Sequence, residues 1–100
     1  MFAILWKYII RPEKKEIFNH EYGPDGSWAR LFRHSKNFLG SFLQRSEDEA
    51  ETYWILDTWT DASSYEDFLN QNSVEYKKLS ESFQNLYLKE EKISSLNSQF

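Results

Sequence analysis

The chain has 100 residues, 18% of them aromatic, no cysteine and a formal net charge of −4. A chain of this length is one domain that can hide only about two-thirds of its unfolded surface, so it must economise on core or share one. The missing cysteines exclude disulfide scaffolds, cysteine-type zinc sites and thiol chemistry, and the expected setting is a reducing, cytoplasmic one.

Phe2 to Ile10 is apolar and strand-forming on both parities, with Phe2, Ile4, Trp6, Tyr8 and Ile10 on one side and Ala3, Leu5 and Ile9 on the other. It is too short to cross a membrane, and no basic segment precedes it as a signal peptide requires. Pro12 opens a helix whose buried side is Ile17, Phe18 and Tyr22, and Gly23-Pro24-Asp25-Gly26 breaks it. Ser27 is placed to cap a short second helix with Trp28, Leu31, Phe32 and Ser35 on one stripe and Arg30, Arg33 and His34 on the other.

Phe38 to Arg45 and Thr52 to Thr60 read as strands joined by the acidic connector Ser46 to Glu51, which pairs them antiparallel. The second is again large on both parities, Tyr53, Ile55 and Trp59 against Trp54 and Leu56. Ser63-Ser64-Tyr65-Glu66 is a capping box for a helix with Tyr65, Phe68 and Leu69 inward, and Ser73 caps another with Tyr76, Leu79, Phe83 and Leu86 at helical spacing. Tyr87 to Ile93 has the thin, charged pattern of an edge strand, and 94–100 reads as a polar tail after a single domain over 1–93.

The order strand, helix pair, strand, strand, helix pair, strand is the α+β, ferredoxin-like split βαβ pattern, a four-stranded antiparallel sheet with its helices on one face. Helices cover one parity of each strand only. The rings on the other parity of the first and third strands therefore call for a second copy, so a homodimer through the sheet is expected, with a ring-lined cavity suited to a small aromatic or apolar ligand. Residues 1–45 carry a net +4 and residues 46–100 a net −8. With no basic stripe in an acidic chain, nucleic acid is not an expected partner.

The segment His20-Glu21-Tyr22-Gly23-Pro24-Asp25-Gly26-Ser27-Trp28-Ala29-Arg30-Leu31-Phe32, then Leu39-Gly40-Ser41, Tyr53 to Trp59 and Glu75-Tyr76-Lys77-Lys78-Leu79, resembles the antibiotic biosynthesis monooxygenase domain family over residues 4–93. The resemblance implies a dimeric α+β barrel. Such a superfamily includes cofactor-independent oxygenases of polyphenolic substrates and haem-degrading oxygenases. Trp59 resembles the tryptophan that ends the family's third strand. The haem-degrading branch has a tryptophan where this chain has Phe68 and a ligating histidine near Lys77 or Lys78, so the resemblance does not extend to haem.

Two separated histidines and no Gly-x-Ser-x-Gly elbow leave neither a metal site nor a nucleophilic triad, and no cofactor is expected. Cofactor-free oxygenation asks only for a base, a hydrogen-bond partner and a dry aromatic pocket, since the deprotonated substrate itself passes an electron to dioxygen. His20 and Tyr22 are the candidate catalytic pair, with Trp28, Phe32, Tyr53, Trp54, Trp59 and Tyr76 as candidate substrate-binding rings. Each has a plainer role open to it: His20 on a helix surface, Trp28 and Phe32 as core. Arg30 and Arg33 are either a rim clamp for an anion or a solvated face. The alternative function is a dimeric ligand-binding or accessory module without catalysis.

Overall fold

A computed structural model describes residues 1–98. Strand β1 (Phe2–Ile10) runs through the centre of a single four-stranded antiparallel sheet of order β2-β3-β1-β4, with β2 (Phe38–Arg45), β3 (Thr52–Trp59) and β4 (Tyr87–Asn97). The β1–β3 register pairs Phe2 with Trp59, Trp6 with Ile55 and Tyr8 with Tyr53. Opposed residues share a face. One face therefore carries Phe2, Ile4, Trp6, Tyr8, Tyr53, Ile55, Asp57 and Trp59, and the other carries Leu5, Lys7, Ile9, Trp54 and Leu56.

The helices α1 (Lys15–Glu21), α2 (Ser27–Phe32), α3 (Ala62–Gln71) and α4 (Ser73–Ser82) pack on the first of these faces. Their rings meet the sheet's rings in two clusters. Phe18 and Tyr22 stack at 4.4 Å and pack on Tyr8 and Tyr53, while Phe32 and Phe68 pack on the fully buried Trp59. Trp28 joins the two clusters, touching Tyr22, Phe32 and Tyr76.

The corner between α1 and α2 depends on Gly26, because a Cβ there would collide with the carbonyl oxygens of His20 and Glu21. Ser27 Oγ then donates to Glu21 Oε2 at 2.6 Å, tying the second helix to the first. Gly40 takes a φ of +151° at the bulge between Phe38 and Gly40, a conformation L side chains rarely adopt.

Local details depart from the sequence expectations. Pro12 begins a 3₁₀ turn, Pro12–Lys14, and the α-helix proper starts at Lys15. Ile17, expected inside, is 49% exposed, because the helix is rotated to bring Phe18 and Tyr22 onto the sheet. Ser27 is the first helical residue rather than the cap. Asp61, not Ser63, caps α3 by accepting the Ser64 N–H at 2.7 Å, and the cap position of α4 is Asn72, not Ser73.

The last strand does not stop at Ile93. It pairs with β1 as far as Asn97, opposite Phe2, so residues Ser94 to Asn97 of the expected tail belong to the sheet, and the last two residues of that tail lie outside the described ones. The sheet face away from the helices keeps a row of exposed apolar groups, among them Phe42 and Leu96, both about half exposed, beside Leu5, Ile9, Trp54 and Leu56. On that face Lys7 lies 5.2 Å over the Trp54 ring and 3.3 Å from Glu49. Among the described residues no helix is long and apolar enough to cross a membrane.

Candidate functional site

Between the two ring clusters, and between sheet and helices, lies a cavity of about 60 Å³. Trp6 and Tyr8 of β1 form its floor with Ile55 and Asp57 of β3 and Ser41 of β2, and its roof is Tyr22, Trp28 and Phe32 with Tyr65, Tyr76 and Ser80. Glu90 of β4, an exposed residue, stands at its rim. Among the described residues, seven of the twelve lining side chains are aromatic and none is Lys, Arg or His. Among the described residues the walls are thus mostly aromatic rings, with carboxylates as their only charged groups.

Asp57 is the chemically notable wall residue. Inward parity on a central strand buries it at 8% exposure under the aromatic roof. Burial disfavours the charged form and pushes its pKa up from 3.8 to about 6, while the Ser41 hydrogen bond and the nearby Trp6 indole N–H pull it back. Ser41 Oγ donates to Asp57 Oδ1 at 2.7 Å. A carboxyl held near neutrality in a ring-lined cavity has the properties of a general base.

The phenols are tuned the other way. Burial raises Tyr8, Tyr22 and Tyr76 above their ordinary range and takes Tyr65 to about 12, so all four remain protonated donors. Tyr8 donates to Glu90 Oε2 at 2.6 Å. Trp28 Nε1 is buried without a hydrogen-bond partner; it approaches the Tyr22 hydroxyl, where it opposes the rise in that phenol's pKa, without completing a bond.

Of the residues singled out from the sequence, Tyr22, Trp28, Phe32 and Tyr76 line the cavity together. The other four do not. His20 lies on the outer surface of α1 with its side chain 71% exposed, 3.5 Å from Glu21, because the stacking of Phe18 and Tyr22 turns position 20 to solvent. Tyr53 and Trp59 are buried within the two clusters on either side, and Trp54 is on the opposite sheet face. Arg30 and Arg33 are away from the cavity, Arg30 bonding Ser27 and Arg33 the Pro24 carbonyl and Asp25.

Sequence reasoning missed Asp57, Ser41, Trp6, Tyr8, Tyr65 and Glu90. For Asp57 there was a signal. A lone acid between Ile55 and Trp59, at the parity shared with Tyr53, is a charge placed in an otherwise apolar face. Among the described residues no three His, Asp or Glu side chains come together to hold a metal ion.

A four-stranded antiparallel sheet with its helices on one face is the fold this chain shares with solved structures of antibiotic biosynthesis monooxygenases. No family model matches the sequence, and no curated protein does. The similarity lies in the solved structures. SnoaB, a cofactor-independent oxygenase from Streptomyces nogalater, superposes with a TM-score of 0.70 at 16% identity, over 99% of this chain and 93% of that one. A protein provisionally assigned as an antibiotic biosynthesis monooxygenase from Bordetella bronchiseptica gives 0.75 at 15%, over 99% and 97%. A conserved protein from Methanosarcina mazei gives 0.71 at 15%, over 98% and 92%. At these identities the shared property is the fold.

Proposed function

We propose that the chain is a cofactor-independent monooxygenase of the antibiotic biosynthesis type, acting on a small hydroxylated aromatic substrate in the cavity, with Asp57 as the base. The observation that carries this reading is the buried Asp57 carboxyl, with its pKa near 6, facing a cavity of aromatic rings. Asp57 takes over the role for which the sequence nominated His20.

Asp57 removes a proton from the substrate, and the resulting anion passes an electron to dioxygen within the aromatic pocket. Recombination at a ring CH₂ gives a peroxide. Loss of water then leaves a carbonyl, so one oxygen atom enters the product, the other leaves as water, and the substrate supplies all four electrons. Tyr22, Tyr65 and Tyr76 are protonated donors able to hold the substrate's oxygen atoms.

The active unit is a homodimer formed through the open sheet face, supported by the exposed Phe42 and Leu96 and their apolar neighbours on that face. Its setting is cytoplasmic, a reading supported by the cysteine-free composition.

Oxygen uptake with a panel of hydroxylated anthrones in flavin-free buffer tests the reading. Turnover by the wild type that falls about 100-fold or more in Asp57→Asn supports it. No turnover of any panel member removes the enzyme and leaves the second reading, a dimeric ligand-binding or accessory module. The accessory form of that reading is favoured by the cavity's size, since about 60 Å³ holds a few waters and falls short of the roughly 300 Å³ of a typical small-molecule site.

A further inference from the structure

The cavity's charge is as one-sided as its lining is aromatic. Among the described residues its two ionisable acids are Asp57 at the floor and Glu90 at the rim, and no cationic side chain lines it to neutralise them. Glu90 accepts from Tyr8 at 2.6 Å, a short bond of the kind a carboxylate makes, and the Asp57 carboxylate is favoured by Ser41 at 2.7 Å. Around them the Trp28 ring meets Tyr76 edge-on at 5.0 Å and Tyr22 at 6.1 Å, while Trp6 lies 6.5 Å from Tyr8. Several rings, each with a negative π-face, thus border one small volume.

We propose that this cavity binds an organic cation, a protonated amine or quaternary ammonium group, seated among Trp6, Trp28, Tyr22 and Tyr76 with Asp57 and Glu90 as counter-ions. Three observations point the same way. Aromatic faces attract a cation that carries its own apolar surface, and a desolvated site strengthens that attraction. Two carboxylates without a basic partner repel a carboxylate or phosphate ligand and are relieved by a positive one. A volume of about 60 Å³ suits an ammonium head group better than a fused ring system. The inference goes beyond the oxygenase reading and does not rest on it, because it concerns the charge the site accepts, whether or not oxygen chemistry follows.

The test is a three-ligand comparison by calorimetry and by the fluorescence of the wall tryptophans. The probes are choline, its uncharged isostere 3,3-dimethylbutan-1-ol and the anion 3,3-dimethylbutanoate. Choline is expected to bind at least about tenfold tighter than the isostere, with the anion weakest. Glu90→Gln, at an exposed rim position where folding is not at stake, and Asp57→Asn are each expected to lower choline affinity about fivefold while leaving the isostere unchanged. Equal affinity for choline and its isostere, preference for the anion, or absence of choline binding overturns the proposal. The assay needs no turnover, so anthrone oxidation failing in the same preparation leaves this result to stand or fall by itself.

Discussion

Ser41 and Asp57 face each other directly across the β2–β3 pair, and the Ser41 hydroxyl donates to the Asp57 carboxylate at 2.7 Å. That bond favours the charged form and is opposed by burial, which prevails and leaves the group titrating at about 6. In the oxygenase reading, activity falls as the pH drops through about 6 and Asp57 takes up its proton. Ser41→Ala removes the opposing contribution, so the acid limb of the pH–rate profile moves to higher pH. A limb that stays in place in the variant dissociates the titration from Asp57.

The same carboxyl weighs on stability with a definite sign. Its folded pKa lies above the ordinary 3.8, so the folded chain binds this proton more tightly than the unfolded one. Its stabilising contribution is complete below pH 3.8 and is lost as the pH rises through about 6. Asp57→Asn, which keeps the shape and a hydrogen-bonding oxygen, is expected to be more stable than the wild type at pH 8 by up to about 3 kcal/mol. The difference closes near pH 4. Urea denaturation at the two pH values measures it.

Trp59 meets Phe32, Phe38, Tyr65 and Phe68 at centroid distances of 5.2 to 5.5 Å and is fully buried. Trp59→Ala removes the ring on which α2 and α3 both dock, with an expected loss of about 3 to 5 kcal/mol in urea denaturation. Much of a small domain's stability goes with it.

His20 is a solvated helix residue, so His20→Ala leaves oxygen uptake within about twofold of wild type and the melting temperature nearly unchanged. A large fall in turnover with an unchanged fold places His20 back in the site.

Phe42 is about half exposed on the open sheet face, midway along the edge strand β2. Phe42→Glu sets a charge into the proposed dimer interface. Sedimentation is expected to return twice the 12.1 kDa chain mass for the wild type and the single-chain mass for the variant. A wild type sedimenting as one chain at micromolar concentration refutes the interface.

The sequence by itself determined the elements, because Phe2 to Ile10 and Tyr53 to Trp59 are short strand-forming runs, apolar on both parities, and the apolar groups of α2 to α4 recur at helical spacing. It also separated the two sheet faces and predicted that both are apolar. Tertiary structure decided what a one-dimensional pattern cannot carry. The order β2-β3-β1-β4 makes the first strand central and places Asp57 opposite Ile4 and Ser41, under a roof drawn from residues far apart in the chain. His20 and Tyr22, two positions apart, part company because a helix turns about 200° over that interval, so one is solvated when the other is buried. The last strand outruns its polar sequence for a related reason. Ser94 to Asn97 has little to bury, but β1 offers it an unpaired backbone edge, and the ladder's hydrogen bonds continue to Asn97.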